Sequence, residues 1–140
     1  PSPLSCGLVW FRRDLRAHDH PALLHALREC AQVHCVFVFD EDILARLPRA
    51  DRRVRFIRES LCDLDQALRA LSHDAHAGLI VLHACARAAV PELAQRLDVQ
   101  AVYAGRDDEP AALERDAHVR TALAQQGREL RLFKDHTVFE

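Results

Sequence analysis

The chain has 140 residues and a mass of 15.9 kDa, which is the size of one domain and excludes most large enzymes. With 49% hydrophobic and 29% charged residues, the composition is that of a folded globular protein and excludes disordered and fibrous classes. The 19 Lys and Arg residues against 21 Asp and Glu residues give a formal charge of -2, which removes any global electrostatic reason for nucleic-acid or membrane-surface binding.

The first predicted elements are a strand and a helix. Residues 7–11 form a short apolar run that stops at charged residues, as a buried strand of a parallel sheet does. Asp19 or His20 can cap the helix that follows, and Pro21 suits its first turn. This helix is expected to end near Cys30 and to have an apolar face that consists of Leu23, Leu24 and Leu27.

The middle of the chain predicts two more strands and two more helices. Residues 33–39 are β-branched and aromatic and predict the second strand, and residues 78–83 predict a third short, buried strand. A third helix is expected over residues 91–97, with its start before the proline. The second helix lies between the second and third strands, and its apolar residues recur at three-four spacing: Val54, Ile57, Leu61, Leu64, Leu68 and Leu71.

The last third predicts a strand over residues 99–103, a helix opened by Pro110, a helix stop at Gly127 and a fifth strand over residues 129–133. Strand and helix thus alternate, with connections too long for hairpins, which favours parallel strands joined by right-handed crossovers. The predicted fold is a doubly wound, Rossmann-like α/β sandwich of three layers with a five-stranded parallel sheet.

Ligands of such sheets lie beyond the carboxyl ends of the strands, here residues 11–16, 40–42, 83–85 and 105–109. Pairing of the charged residues with one another around this rim is the structural alternative to ligand binding. Dinucleotide, Walker, serine-hydrolase and zinc-protease motifs do not occur, so no catalytic residues are assigned. The histidine pairs 18/20 and 73/76 lack matching ligand spacing and are interpreted as exposed loop histidines, with no metal site.

The five cysteines form no CxxC pair and mostly lie in apolar stretches, which is typical of reduced, buried thiols in a cytoplasmic protein. No window of the sequence approaches the roughly 18 apolar residues that a membrane span needs, so no membrane partner is expected.

Four segments in order resemble the DNA photolyase and cryptochrome family. Residues 8–16 (LVWFRRDLR), followed by Asp19 and Pro21, are similar to the family's opening WFRRDLR and D-N-P-A-L signature. Residues 53–68 resemble its R-x-x-F-L-x-E-S-L-x-D-L stretch, residues 88–93 the helix after the third strand, and residues 103–116 its Y-x-N-x-D-Y-E-P-x-x-x-x-R-D segment. The resemblance covers essentially the whole chain.

The resemblance implies that residues 1–140 are the N-terminal α/β domain, which precedes a helical domain in the same polypeptide. In the family the helical domain binds FAD and splits pyrimidine dimers in UV-damaged DNA, whereas the α/β domain holds an antenna chromophore. The expected parent is a deoxyribodipyrimidine photolyase, a carbon–carbon lyase, and the 140-residue chain alone is expected not to be catalytic. The alternative is a non-repair module that is cryptochrome-like or binds a nucleotide or flavin.

Carried over to this sequence, the family's antenna crevice corresponds to Phe11, Arg12, Arg13, Phe39, Asp40, Asp107 and Glu109. Asp107 matches the D of D-x-E-P and could accept a hydrogen bond from a ring N–H or a ribityl hydroxyl. Helix capping is the alternative role for this acidic turn.

The sequence departs from the family pattern near this crevice. Ala111 and Ala112 stand where folate-binding members have an Asn-Glu pair, so the resemblance implies a flavin or deazaflavin antenna rather than a folate. Asp108 replaces a frequent Tyr and thereby removes a ring that could stack on a flavin. A vestigial site that binds no pigment stays open as an alternative.

Overall fold

The computed structural model describes residues 4–12, 15–17, 19–40, 52–72 and 78–134. Five parallel strands form one sheet in the order β3-β2-β1-β4-β5. The strands are β1 (Leu4–Phe11), β2 (Cys30–Asp40), β3 (Leu79–Ala84), β4 (Ala101–Gly105) and β5 (Glu129–Phe133). The helices are α1 (Pro21–Glu29), α2 (Arg52–Ser72), α3 (Ala86–Leu97) and α4 (Pro110–Gln125). The predicted doubly wound α/β fold is confirmed.

The helices divide between the two faces of the sheet. Helices α1 and α2 pack on one face, against Val9, Phe11 and Tyr103, and helices α3 and α4 pack on the other, against Leu8, Trp10 and Val102. The strand order reverses between β1 and β4, so the carboxyl ends of these two strands form the topological switch point of the sheet.

Gly7 lets β1 lie close to the start of β2. A Cβ atom at this position would come within 2.6 Å of the Cys30 sulfur and 3.2 Å of the Tyr103 ring. Both neighbours are buried in the core, so a side chain at residue 7 would displace packed atoms.

Helix α1 begins as predicted but buries a different face. His20 is its N-cap, with Nδ1 accepting from the Leu23 amide at 3.1 Å, and Pro21 lies in its first turn. The buried residues are Ala22, Leu23 and Ala26, whereas Leu24 and Leu27 are 47% and 51% exposed. The prediction for the apolar face is therefore wrong for these two leucines, because the small alanines are what allow the helix to approach the sheet.

Four strands differ from their predictions, and the first two differ only in extent, since β1 and β2 begin at Leu4 and Cys30, three residues earlier than expected. The third was expected to be buried, but β3 is an edge strand of the described sheet and Val81 is 41% exposed. The fourth begins at Ala101 rather than at Val99, because the Val99 amide donates to the Ala94 carbonyl at 3.1 Å and still belongs to the end of α3. Gly127, at φ +76°, ends α4 as predicted.

The cysteines are all free. Cys6, Cys30 and Cys35 are buried as expected and Cys85 is half-buried, but Cys62 lies on the exposed side of α2, so the prediction of burial is wrong there. In the part of the chain that the structure describes, no helix is both long enough and apolar enough to cross a bilayer.

Candidate functional site

The carboxyl end of β1 sends neighbouring side chains to opposite faces of the sheet. Phe11 is fully buried in the core beneath α1 and α2, while Trp10 belongs to the core beneath α3 and α4. Arg12 follows the same alternation and lies on the Trp10 side, with its guanidinium 4.8 Å from the centre of the indole ring. Two of the predicted contact residues, Phe11 and Arg12, are thus separated by the sheet.

Arg12 joins the ends of β1 and β4. Its guanidinium donates to the Asp116 carboxylate on α4 and to the carbonyl oxygen of Gly105, the last residue of β4. The side chains of Arg12 and Asp116 are only 7% and 5% exposed. This buried ion pair spans the switch point on the α3/α4 side, so a ligand at the switch point would lie on the Phe11 side.

Phe39 lies on the Phe11 side, in the same hydrophobic cluster. Its ring stacks on His83 of β3, at 4.6 Å between centroids and 12° between planes, and packs edge-on against Phe37. Because Phe39 is buried and His83 is exposed, His83 presents the outer ring of this aromatic stack. His83 was among the strand-end residues of the sequence but was not selected as a site residue, since a lone histidine carries no motif.

Asp107 and Glu109 lie in the turn between β4 and α4. Asp107 is half-buried, and its Oδ1 accepts from the Glu109 amide at 3.1 Å, which orders the turn. Glu109 is the N-cap residue of α4 but makes no side-chain cap hydrogen bond, and it is exposed. The acidic turn therefore does shape the start of the helix. Asp107 lies beside the switch point, at the edge of the sheet where the carboxyl ends of the strands meet (the carboxyl edge).

The other two predicted contacts are less completely described. Asp40 ends β2 and pairs with Ala84 in the sheet register, which puts its backbone at the carboxyl edge. The side chain of Asp40 and the whole of Arg13 lie outside the described residues.

The histidine next to this edge is not an exposed loop residue. His20 is 4% exposed, caps α1 and packs its ring on Phe11 at 4.8 Å between centroids, so the expectation of exposure is wrong for this residue. The other three histidines of the two sequence pairs, at positions 18, 73 and 76, lie outside the described residues. Within the described ranges, no group of three or more candidate ligands could hold a metal ion.

A second polar cluster, which sequence reasoning missed, lies beneath the end of α1. The phenol of Tyr103 donates to Glu29 at 2.8 Å, and Arg131 bonds both Glu29 and the phenol oxygen. His25 approaches Glu29 at 3.3 Å and stacks on Phe133. These partners come from three separate elements, and no motif in the sequence links them.

The electrostatics of this cluster favour the charged carboxylate. Burial alone would raise the pKa of Glu29, but the hydrogen bond from Tyr103 and the charge of Arg131 outweigh it and lower this pKa below its usual value. Burial also raises the pKa of Tyr103 well above the ordinary phenol value. The cluster is thus a neutral phenol beside an ionised, paired carboxylate.

Two open grooves of the described surface lie away from the carboxyl edge. One follows the amino ends of β1, β4 and β5 and is lined by Asp98, Arg128 and Glu129, and the other runs between α3 and α4 past Arg87 and Glu114. Both are lined by charges of opposite sign, with Arg128 paired to Asp98 and Arg87 to Glu114. The aromatic carboxyl edge is therefore the better candidate site for an organic pigment.

Known proteins similar to this chain share this architecture. The family model described as DNA photolyase matches residues 7–140. A photolyase structure from the archaeon Sulfolobus tokodaii, described as containing two FAD molecules with implication of a novel light-harvesting cofactor, is 31% identical with a TM-score of 0.80. The similarity extends over 92% of this chain and over 29% of the archaeal photolyase chain. A cryptochrome structure from Synechocystis, 24% identical with a TM-score of 0.82, supports the fold.

Curated relatives carry two kinds of name. The deoxyribodipyrimidine photo-lyase of Thermus thermophilus is 44% identical over 83% of this chain and 26% of its own length. Cryptochrome-2 of Gallus gallus is 35% identical over 93% of this chain and 22% of its own length. The chain thus spans about a quarter of these relatives. It belongs to the DNA photolyase family, as an α/β domain of the kind shared by photolyases and cryptochromes.

Proposed function

We propose that this chain is the N-terminal light-harvesting domain of a deoxyribodipyrimidine photolyase and holds an antenna pigment of the flavin or deazaflavin class. The observation that carries the proposal is the likeness to the archaeal photolyase described with two FAD molecules and a novel light-harvesting cofactor, which extends over 92% of this chain. The 44% identity to the Thermus photolyase over 83% of this chain also supports the proposal.

The residues at the carboxyl edge fit such a pigment. The exposed ring of His83, which stacks on the buried Phe39, offers an aromatic surface for a planar ring system, and the Asp107 carboxylate lies on the same edge as a hydrogen-bond acceptor. Arg12 is not assigned a pigment contact, because its guanidinium is committed to Asp116 and Gly105 on the other face.

The task of the protein in this role is to hold a pigment rigidly. A bound flavin or deazaflavin supplies the absorption of light and passes its excitation on by resonance, which needs a fixed distance and orientation rather than acid–base groups. Packing fixes the Phe39 ring between Phe37 and His83, and the Asp107 carboxylate is held by the Glu109 amide.

The proposed partners follow from the length of the relatives. They are about four times as long as the region that they share with this chain, and we assign the rest of such a parent to a helical FAD-binding domain. That domain would perform repair of UV-damaged DNA. The second candidate is a cryptochrome-like protein without repair, which the 35% identity to Cryptochrome-2 over 93% of this chain favours.

The test is a fluorescence and absorbance titration of the purified chain with FMN, FAD and a deazaflavin. Saturable binding that Asp107→Ala weakens by about tenfold, the worth of one hydrogen bond to a charged group, is expected. Asp108→Ala is the matched control, because Asp108 is exposed and pairs with Arg106 in the same turn. Absence of saturable binding, or equal loss in both variants, would contradict the proposal.

A further inference from the structure

The chain contains one Trp, and its indole lies at the centre of the sheet. Trp10 belongs to β1, the middle strand of the described sheet, and pairs with Val36 of β2 and Ala104 of β4. The residue is 2% exposed and is part of the core beneath α3 and α4. The side chain that absorbs ultraviolet light most strongly in this sequence is therefore fixed at one defined place.

Two arginines hold the indole in its orientation. The guanidiniums of Arg12 and Arg115 lie 4.8 Å and 5.0 Å from the centre of the ring, and both contact the Asp116 carboxylate of α4. Cation–π contacts favour one placement of the ring face relative to the cations. A guanidinium is also difficult to reduce, so these groups fix the ring without taking an electron from its excited state.

Trp10 lies near the part of the carboxyl edge that carries the candidate pigment contacts. It is the last residue but one of β1, so about 3 Å of strand separates it from the end of the strand. The exposed His83 is on β3, two strands away, and Asp107 follows β4, the adjacent strand. With about 5 Å between neighbouring strands, a pigment anywhere between these two residues lies within roughly 15 Å of the indole.

The sheet does not prevent excitation from passing between its two faces. Phe39 and the candidate site lie on the face of α1 and α2, whereas Trp10 lies on the opposite face. Resonance transfer acts through space and requires no contact, but it does require a fixed distance and orientation and an acceptor that absorbs where the donor emits. Indole emits in the near ultraviolet, where flavins and deazaflavins absorb.

We propose that Trp10 is a second light absorber of this domain and passes ultraviolet excitation to the bound pigment. This inference rests on the proposed light-harvesting function, because the pigment of that function is the acceptor. No bond forms or breaks, and no electron or proton moves. The excited indole returns to its ground state as the pigment reaches its excited state.

The experiment uses the 140-residue chain with FMN or a deazaflavin, and binding is first measured through the blue absorbance and emission of the pigment, which do not report on Trp10. A short flash at the long-wavelength edge of the indole band, where the phenol of Tyr103 does not absorb, then excites Trp10. Because the chain has one Trp, all indole emission comes from this residue. The decay of the indole emission and the rise of the excited pigment are followed together.

In the parent chain we expect bound pigment to shorten the indole lifetime at least about twofold, since transfer over two or three strand spacings is faster than emission. The excited pigment should appear in two steps, an immediate one from direct absorption and a delayed one that matches the indole decay. Trp10→Phe is the matched control, because it keeps an aromatic ring beside Arg12 and Arg115 but removes the indole. This variant should bind the pigment and show the immediate step only.

An unchanged indole lifetime beside a bound pigment would overturn the inference and leave the proposed function intact. A shortened lifetime without the delayed step would also overturn it, because the indole would then be quenched by electron transfer. If no pigment binds, the proposed function fails in the binding measurement and the inference fails with it. If Trp10→Phe does not fold, the delayed step in the parent chain, compared with the indole decay of the same sample, decides the question.

Discussion

The role of a charged residue at the carboxyl edge is decided by the contacts that its side chain makes, and Arg12 is the example. Arg12, which could have contacted a ligand, is used to pair with Asp116 and to hold the end of β4. Breaking such a buried ion pair from one side leaves an uncompensated charge, which typically costs about 3–5 kcal/mol. The charge at position 12 therefore serves the fold beside the site.

His20 leads to a prediction on the stability of α1. Its Nδ1 accepts from the Leu23 amide at 3.1 Å, so the imidazole satisfies one of the amides that the first turn of a helix leaves unpaired. The ring is 4% exposed and packs on Phe11, so the cap is held inside the core.

The variant His20→Ala removes the cap, whereas His20→Asn keeps a side-chain oxygen that can accept from the amides of the first turn. Urea unfolding should show a loss of about 1 kcal/mol, the worth of a cap, in His20→Ala and a smaller loss in His20→Asn. An equal loss in both variants would mean that the capping hydrogen bond does not contribute to the stability of the chain.

At the scale of elements, Asp65 connects α2 to β3. Its carboxylate accepts from the Leu79 amide at 2.8 Å and from Arg69 at 3.0 Å. The hydrogen bond from the Leu79 backbone and the charge of Arg69 lower the pKa of Asp65 against the opposing effect of burial. Because this pKa is lowered, the stabilisation is present above the ordinary aspartate range and is lost as the pH falls through the lowered value.

Asp65→Asn is expected to reduce the free energy of unfolding at neutral pH by about 1 kcal/mol and to flatten its decline in acid. Chemical unfolding at a series of pH values measures both. Asp63→Asn is the matched control, since Asp63 is exposed on the same helix, and it should behave like the parent. If Asp63→Asn lowered the free energy of unfolding at neutral pH by as much, the contacts of Asp65 with Leu79 and Arg69 would not be the cause of the loss.

The sequence predicted the presence of helices and strands better than it predicted which face of each one is buried. Short β-branched runs and the three-four spacing of α2 identify elements because they depend on neighbours in the chain. The exposed Leu24 and Leu27 could not be foreseen, since spacing does not reveal that Ala22 and Ala26 pack closest to the sheet. The Arg12 to Asp116 pair was equally hidden, because its members are 104 residues apart.

The candidate site was predicted only as a set of strand ends. Topology brings the carboxyl ends of parallel strands to one edge, so the location follows from the fold class. Which face each side chain occupies is decided by register, and register is what separates Phe11 and Phe39 from Arg12. The stack of Phe39 on His83 also follows from register, since the two residues are paired across β2 and β3.

At the scale of the whole molecule, the proposed role requires this domain to hold a pigment and assigns the chemistry on DNA to another domain. The ion pairs described above lie within the fold, buried between Arg12 and Asp116 and half-buried between Glu29 and Arg131. The chain has a formal charge of -2, and this provides no general attraction to a polyanion. These features agree with the proposed light-harvesting role, in which we assign the repair chemistry to a second domain.

The last prediction concerns the proposed separation of light harvesting in the α/β domain from DNA repair in the helical domain. The purified 140-residue chain, illuminated with blue light in the presence of an added flavin, should leave thymine dimers in DNA at the level of a dark control. The reason is that splitting a dimer requires the flipped base and an electron donor to meet in one enclosed pocket, and we assign that pocket to the helical domain. Loss of dimers is measured by chromatography of the digested DNA. The full-length Thermus photolyase serves as the positive control. Repair by the 140-residue chain above the dark level would place catalysis within the α/β domain and overturn its assignment as an antenna.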